Sequence, residues 1–144
     1  MSILNSVLKI FVGDKTKKDL KKVFSDIKRT ESTEYDCIVL LSGGKDSTYT
    51  LAKIKELGLN VLAFTLDNGY ISEGAKDNVR RIVKELGVDH IFGETEAMNA
   101  IFVDSLQLHC NVCDGCFKTI YTLSTQIALE KKIPFIITGL SRGQ

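Results

Sequence analysis

The sequence predicts an α/β fold built on a doubly wound parallel sheet, and three observations support it. From Tyr35 onward, short apolar runs alternate with amphipathic stretches. The first run, Cys37-Ile38-Val39-Leu40-Leu41, is apolar without interruption, as expected of a strand covered on both faces. The segment KELGLNVLAF at 55–64 also lines up with KELGVDHIFG at 84–93, each reading as a helix end, a glycine stop and a strand. Two such units in a row imply right-handed crossovers, although convergence on one helix-to-strand loop chemistry is enough to explain the likeness.

The elements follow in order. Ile3, Val7, Leu8 and Phe11 share one side of a short helix expected over residues 3–11. Leu20, Val23, Phe24 and Ile27 fall at helical spacing, opposite Lys15, Lys17, Lys18, Lys21, Lys22, Lys28 and Arg29. That second helix reads as a solvated surface helix. An RNA contact is the sharper alternative, but no aromatic side chain is interleaved with the lysines to stack on bases. Residues 1–32 are therefore expected to be a helical N-terminal extension, and 33–144 the α/β domain.

After the strand at 37–41, Ser42 to Asp46 form a glycine-containing loop and Ser47 to Leu57 a helix stopped by Gly58. Val61 to Leu66 is the second strand of this series. Ser72 can cap a helix whose inner face is Ala75, Val79, Ile82, Val83 and Leu86, ended by Gly87. Val88 to Phe92 is a strand and Ala97 to Leu106 a helix. Residues 115–131 form another helix, with Cys116, Ile120, Leu123 and Ile127 at helical spacing, and Asp114 is expected to cap it. Pro134 to Thr138 is the last strand, and an unfinished sheet edge beside it would favour pairing of copies into a homo-oligomer.

Composition narrows the function classes. The chain has 144 residues, 44% of them hydrophobic and 26% charged, which suits one globular domain. Nineteen Lys and Arg against eighteen Asp and Glu leave a net charge of +1, so any nucleic-acid contact must come from a local patch. The apolar runs are strand-sized, so no membrane partner is expected. The N-terminus lacks the basic stretch and cleavage site of a signal peptide. A cytoplasmic, reducing location follows as the expectation, and with it metal or sulfur chemistry for the clustered cysteines rather than disulfides.

Ligands of doubly wound sheets bind outside the carboxyl ends of the strands, which directs attention to 42–47, 67–70, 93–96 and 139–144. Ser42-Gly43-Gly44-Lys45-Asp46-Ser47 leaves the first of these strands and opens its helix. Two glycines let backbone approach a ligand, and the open N–H groups of the helix start favour an anion. Ser42 and Ser47 add hydroxyls and Lys45 a charge. Asp46 makes sense beside phosphate if it orients loop N–H groups or holds Mg²⁺. Val39 and Asp46 stand where a Walker-type P-loop needs Gly and Ser or Thr, and no G-x-G-x-x-G occurs.

These six residues resemble the SGGxDS signature of the PP-loop (N-type) ATP pyrophosphatase superfamily. Asp67-Asn68-Gly69 is similar to the Asp-His-Gly often found in that superfamily after the next strand. The resemblance runs from about Tyr35 to Gly139. It implies an adenine nucleotide alpha hydrolase-like fold and an enzyme that splits ATP into AMP and pyrophosphate while adenylating a carbonyl oxygen. It also implies adenine contacts at the backbone of Thr65, Leu66 and Asp67; Gly139, at the carboxyl end of the last strand, is a further candidate for the nucleotide site. YDCIVLLSGGKDSTY and CNVCDGCFKTIYTL resemble sulfur-inserting tRNA enzymes, N-acetyl sugar amidotransferases and PP-loop domains of nonribosomal peptide synthetase-like proteins. Gly139-Leu140-Ser141-Arg142-Gly143-Gln144 departs from the Gly-His-x-x-Asp-Asp usual in thiolation enzymes, and the domain is expected to be incomplete at its C-terminus.

Cys110-x2-Cys113-x2-Cys116 has the spacing of thiolates that share one ion or cluster, so either a [4Fe–4S] cluster or zinc would fit. Without metal, Cys113 and Cys116 would be catalytic thiols, with Cys116 carrying a persulfide or pairing with Cys113. Cys116 also lies on an apolar helix stripe, so core packing is a third reading. Cys37 reads as a small buried apolar residue, and His90 as a packed or surface histidine.

The expectation is thus an ATP pyrophosphatase of ligase or sulfurtransferase type. Lys45, Asp46, Cys113 and Cys116 are its catalytic candidates, and ATP with Mg²⁺ its cofactors. The acceptor is a tRNA, a sugar or a carrier-bound acyl group. The second nucleophile is sulfur from a donor partner or, alternatively, ammonia from a glutaminase partner. A non-catalytic ATP-binding module is the remaining alternative.

Overall fold

The computed structural model of the protein describes residues 8–11, 22, 25 and 33–139. Five parallel strands make one sheet in the order β1-β5-β2-β3-β4. They are β1 (Leu8–Phe11), β2 (Cys37–Leu40), β3 (Val61–Leu66), β4 (Asp89–Gly93) and β5 (Phe135–Thr138). Among the described residues, the helices with defined bounds are α1 (Lys45–Glu56), α2 (Glu73–Leu86), α3 (Met98–His109) and α4 (Cys113–Glu130).

Side-chain alternation along the strands builds two cores. Cys37, Val39, Leu41, Val61, Ala63, Phe135 and Ile137 face one way and bury Leu51 and Ile54 of α1 and Val79 and Val83 of α2. Ile38, Leu40, Leu62, Phe64, Leu66 and Ile136 face the other way, against Met98 of α3 and Ala128 of α4. Helices on both faces bury β2, β3 and β5 completely, which explains their unbroken apolar runs. The doubly wound fold is as the sequence predicts.

Local chemistry sets the helix ends. The Ser72 hydroxyl accepts from the Ala75 N–H at 3.2 Å, and Gly87 closes α2 in the left-handed region at φ 59°. Asp114 does not cap α4, because the helix begins one residue earlier. Val112 is the cap and offers no side-chain bond, while Asn111 just ahead of it accepts from the Asp114 N–H through Oδ1 at 3.0 Å. Gly115 lets α4 approach α3, since a Cβ there would stand 2.9 Å from Ile101 Cγ2.

Two expectations at the N-terminal side are corrected. Leu8–Phe11, placed in a short helix by spacing, forms a strand that pairs in parallel with Phe135–Thr138. A run as short and apolar as Leu8–Phe11 satisfies either period, and an available sheet edge decides between them. β5 is consequently an interior strand, and among the described residues the sheet's edges are β1 and β4. Lys22 and Ser25 are helical, while the rest of the basic helix expected at 15–29 lies outside the described residues. Among the described residues, no helix is long and apolar enough to cross a membrane.

Candidate active site at the switch point of the sheet

From β2 the chain winds outward through α1 to β3 and through α2 to β4. It then returns through α3 and α4 to β5, on the other side of β2. The gap between the carboxyl ends of β2 and β5 is therefore the switch point, where connections leave in opposite directions and a crevice must open. A cavity of about 270 Å³ lies there. Ser42, Gly44, Lys45, Asp46 and Ser47 line it from the β2–α1 loop, and Thr138 and Gly139 from the end of β5. Phe117, Ile120 and Tyr121 of α4 wall the far side.

Hydrogen bonds hold the loop from within. The Ser47 hydroxyl accepts from the Ser42 N–H at 3.2 Å and donates to the Gly44 carbonyl at 3.1 Å. The two serine hydroxyls lie 3.0 Å apart. The buried Ser47 thus acts as a brace, whereas the exposed Ser42 is the hydroxyl within reach of a ligand. Gly43 sits at φ +79°, where an added Cβ would come within 2.9 Å of Val79 Cγ2 on α2. Gly44 caps α1 with no side-chain hydrogen bond, so the opening N–H groups of the helix face the cavity mouth with their dipole. Lys45 adds a cation and Asp46 a carboxylate, an oxygen ligand of the kind Mg²⁺ takes beside phosphate. Gly139 packs against the first turn of α1, where a Cβ would stand 3.0 Å from Thr50 Oγ1 and 3.1 Å from the Asp46 carbonyl.

Thr65, Leu66 and Asp67 end the neighbouring strand and are not among the cavity's lining residues. The Thr65 hydroxyl donates to the Leu41 carbonyl at 2.6 Å and lies 2.9 Å from His90 Nε2. It bolts β3 to the residue from which the loop departs. Thr65 has one proton and spends it on Leu41, so His90 donates through Nε2. Burial and the Arg80 cation hold the His90 pKa below its usual value. Leu66 is buried in the core. Asp67 pairs with Lys76 at 2.6 Å and accepts from the Gly69 N–H at 3.0 Å. The Lys76 bond foremost, then the Gly69 bond, hold its carboxyl below the usual carboxylate range.

The cysteines occupy three different settings. Cys110 closes α3 in the left-handed region at φ 57°, Cys113 opens α4 in an exposed position, and Cys116 follows one turn later. Cys116 packs with Ile120, Leu123 and Ile127, and its sulfur accepts from Asn68 Nδ2 at 3.5 Å. Among the described residues, no group of three His, Cys, Asp or Glu is placed to hold a metal ion. The three thiols do not converge as a ligand set, since Cys110 belongs to one helix end and Cys116 turns toward the core. Burial pushes the Cys37 thiol far up and leaves it protonated.

Comparison with known proteins decides the family. Residues 36–112 match the family described as Queuosine biosynthesis protein QueC. The chain belongs to that family, and with it to the PP-loop ATP pyrophosphatase superfamily. An uncharacterized protein of Methanocaldococcus jannaschii is 29% identical over 127 residues, covering 88% of this chain and 45% of the relative.

Three solved structures share the fold. NH3-dependent NAD synthetase from Campylobacter jejuni matches with a TM-score of 0.61 at 13% identity, over 94% of this chain and 56% of that one. NMN synthetase from Francisella tularensis gives 0.58 at 17% identity, over 89% and 54%. The U34-tRNA thiolase NcsA from Methanococcus maripaludis, solved with its [4Fe-4S] cluster, gives 0.58 at 18%, over 85% and 44%. The chain thus spans about half the length of the proteins it matches.

The α4 wall of Phe117, Ile120 and Tyr121, together with Thr138, is not among the site residues that the sequence predicts. Phe117 and Tyr121 stand four residues apart, a spacing that puts both on one helix face. That they meet a loop some seventy residues earlier follows only from the crossover.

Proposed function

We propose that this chain is the nucleotide-binding part of an AMP-forming, ATP-dependent enzyme. The observation that carries the reading is the switch-point cavity, floored by the Ser42–Ser47 loop and the open end of α1. The triphosphate lies on the loop N–H groups and the Ser42 hydroxyl, Lys45 neutralises charge, and Asp46 would hold Mg²⁺, which would supply further charge neutralisation at the phosphates. The adenine lies toward the backbone of Thr65, Leu66 and Asp67, as the superfamily resemblance implies. An acceptor oxygen attacks the α-phosphorus, the bond from that phosphorus to the α–β bridging oxygen breaks, and pyrophosphate leaves with the electron pair. A second nucleophile then displaces AMP. These residues act by positioning and charge neutralisation, with no acid–base step required of them.

Sulfur is the second nucleophile the arrangement favours. Cys113 and Cys116 precede Phe117 and Ile120 by four residues each, so both thiols lie on the α4 faces that wall the cavity one turn on. The likeness to a tRNA thiolase is consistent with sulfur and with a tRNA acceptor. No step is routed through a metal. Ammonia is the alternative, supported by the likeness to an NH3-dependent synthetase.

Incubation with ATP labelled at the α-phosphate, with bulk tRNA and a sulfide donor or ammonium, tests the reading. AMP and pyrophosphate are the expected products. Release of ADP and phosphate would overturn it, and ATP binding with no turnover under any acceptor would reduce the chain to a binding module.

A further inference from the structure

The loop glycine is held from outside as well as from within. Asn78 of α2 donates from Nδ2 to the Gly43 carbonyl at 3.0 Å, and its Oδ1 accepts from Arg81 Nη2 at 2.8 Å. Arginine can only donate and a carbonyl can only accept, so the two partners fix which way the Asn78 amide faces. Val79, the next residue, supplies the methyl group against which Gly43 rests. A trans peptide points its C=O and N–H in opposite directions. With the Gly43 carbonyl tied to α2, the Gly44 N–H is turned away from α2. It faces Ser42 Oγ, at a long 3.4 Å, on the cavity side of the loop. A bond that long is readily exchanged for a stronger one to an anion.

Resting on the nucleotide-binding reading above, we infer that Asn78 is a positioning residue for the phosphate site. It locks the Gly43–Gly44 peptide so that the Gly44 N–H is presented to the anion, and Arg81 acts through Asn78 by fixing its amide. Neither side chain is among the residues that line the cavity. Left free, a Gly-Gly peptide rotates readily, and each binding event would have to meet the cost of ordering it.

The test uses the full chain with sodium pyrophosphate and ATP as separate probes, and reads affinity by calorimetry and the Gly44 amide by NMR. In the unaltered chain the Gly44 resonance shifts on adding either anion. Asn78→Leu, close in size, should weaken both by about tenfold, the value of one lost charge-assisted hydrogen bond, and abolish that shift. Arg81→Ala should weaken both by about threefold, the value of a modest hydrogen bond. The double variant should be no weaker than Asn78→Leu alone, a non-additivity that general loss of stability would not produce.

Unaltered affinity and an unaltered Gly44 shift in Asn78→Leu would overturn the inference, as would additive losses in the double variant. If Asn78→Leu does not fold, the exposed Arg81→Ala carries the same readouts, and an unchanged Gly44 shift and affinity there would likewise count against it. An unaltered chain that binds neither anion overturns the inference together with the nucleotide reading. An unaltered chain that binds both anions but yields ADP overturns only the proposed reaction.

Discussion

The loop at 42–47 and the cysteine turn at 110–116 are the two stretches with the most chemistry per residue, and they are built in opposite ways. Every turn of the loop is held. Ser47 braces it from inside, Asn78 and Val79 hold Gly43 from α2, and Thr65 secures the strand residue from which it leaves. The cysteine turn has a serine brace of its own, but its reactive side chains are left bare. The Ser105 hydroxyl donates to the Asn111 carbonyl at 2.7 Å and accepts from the Gly115 N–H at 3.0 Å, while the Cys110 and Cys113 side chains stand exposed. One region is fixed from several elements at once, and the other leaves the Cys110 and Cys113 thiols accessible. Under the proposed function that difference is the expected one, since a rigid seat saves ordering cost when phosphate binds, whereas a thiol that exchanges partners needs access more than fixity.

The sharpest break of that contrast is Gly43→Val. A side chain at φ +79° costs roughly 1–2 kcal/mol in the left-handed region, and its Cβ also meets Val79. ATP binding should be lost and the melting temperature lowered, measured by calorimetry and thermal unfolding. Unchanged ATP affinity would show that the loop adapts and is not preorganised.

Lys45→Ala comes next. The side chain is exposed on the cavity rim, so stability should hold while ATP affinity falls roughly 10- to 100-fold, in keeping with the loss of one charge-assisted contact of about 1.5–3 kcal/mol. Equal affinity for adenosine in both proteins would confirm that the deficit lies in the phosphates.

Thr65→Val tests the root of the loop. It removes the bond to Leu41 and leaves the His90 N–H facing a methyl group, at a cost of about 1–3 kcal/mol. Thermal unfolding should report the loss, and ATP affinity should fall with it if the loop is held from its root.

How much of this was legible in advance follows from where the information lies along the chain. Ser42–Ser47 is contiguous, its glycines are adjacent, and the strand before it is unambiguous, so loop and fold class could be read directly. Leu8–Phe11 could not be, because four residues satisfy a strand and a helix equally until β5 offers an edge. Phe117, Tyr121 and Asn78 look like ordinary helix-surface residues until two crossovers bring α4 and α2 against the same loop. The cysteine spacing suggests a shared ligand, but spacing alone does not reveal that a helix ends between Cys110 and Cys113. Local chemistry is written locally, and convergence across elements is written only in the topology.

The cysteine turn has its own test. Cys113→Ser should leave stability and ATP binding unchanged, since the side chain is exposed, yet abolish sulfur transfer to the acceptor. Cys116→Ser should do the same at a stability cost of about 1 kcal/mol, for a polar atom set among Ile120, Leu123 and Ile127. Sulfur transfer that survives both substitutions would hand the second step to ammonia and leave the turn a structural link between α3 and α4.

The smallest expected effect concerns pH. His90 is half-buried, donates to Thr65 and faces the Arg80 cation, and its pKa lies below the ordinary 6.5. The unfolded chain therefore takes up this proton at a higher pH than the folded chain does. Stability is fully present above about 6.5 and declines as pH falls from there through the folded value. The Asp67 carboxylate does not confuse that window, because its pKa is lowered from 3.8 and its contribution is lost only in more acid solution. Replacing His90 by Gln keeps an N–H donor for Thr65 and removes the titration. Urea unfolding between about pH 5 and 7 should then show a flatter profile for His90→Gln than for the unaltered chain. Identical slopes would mean that His90 is as well solvated folded as unfolded, and that the bolt beneath the loop is looser than its 2.6 Å and 2.9 Å contacts imply.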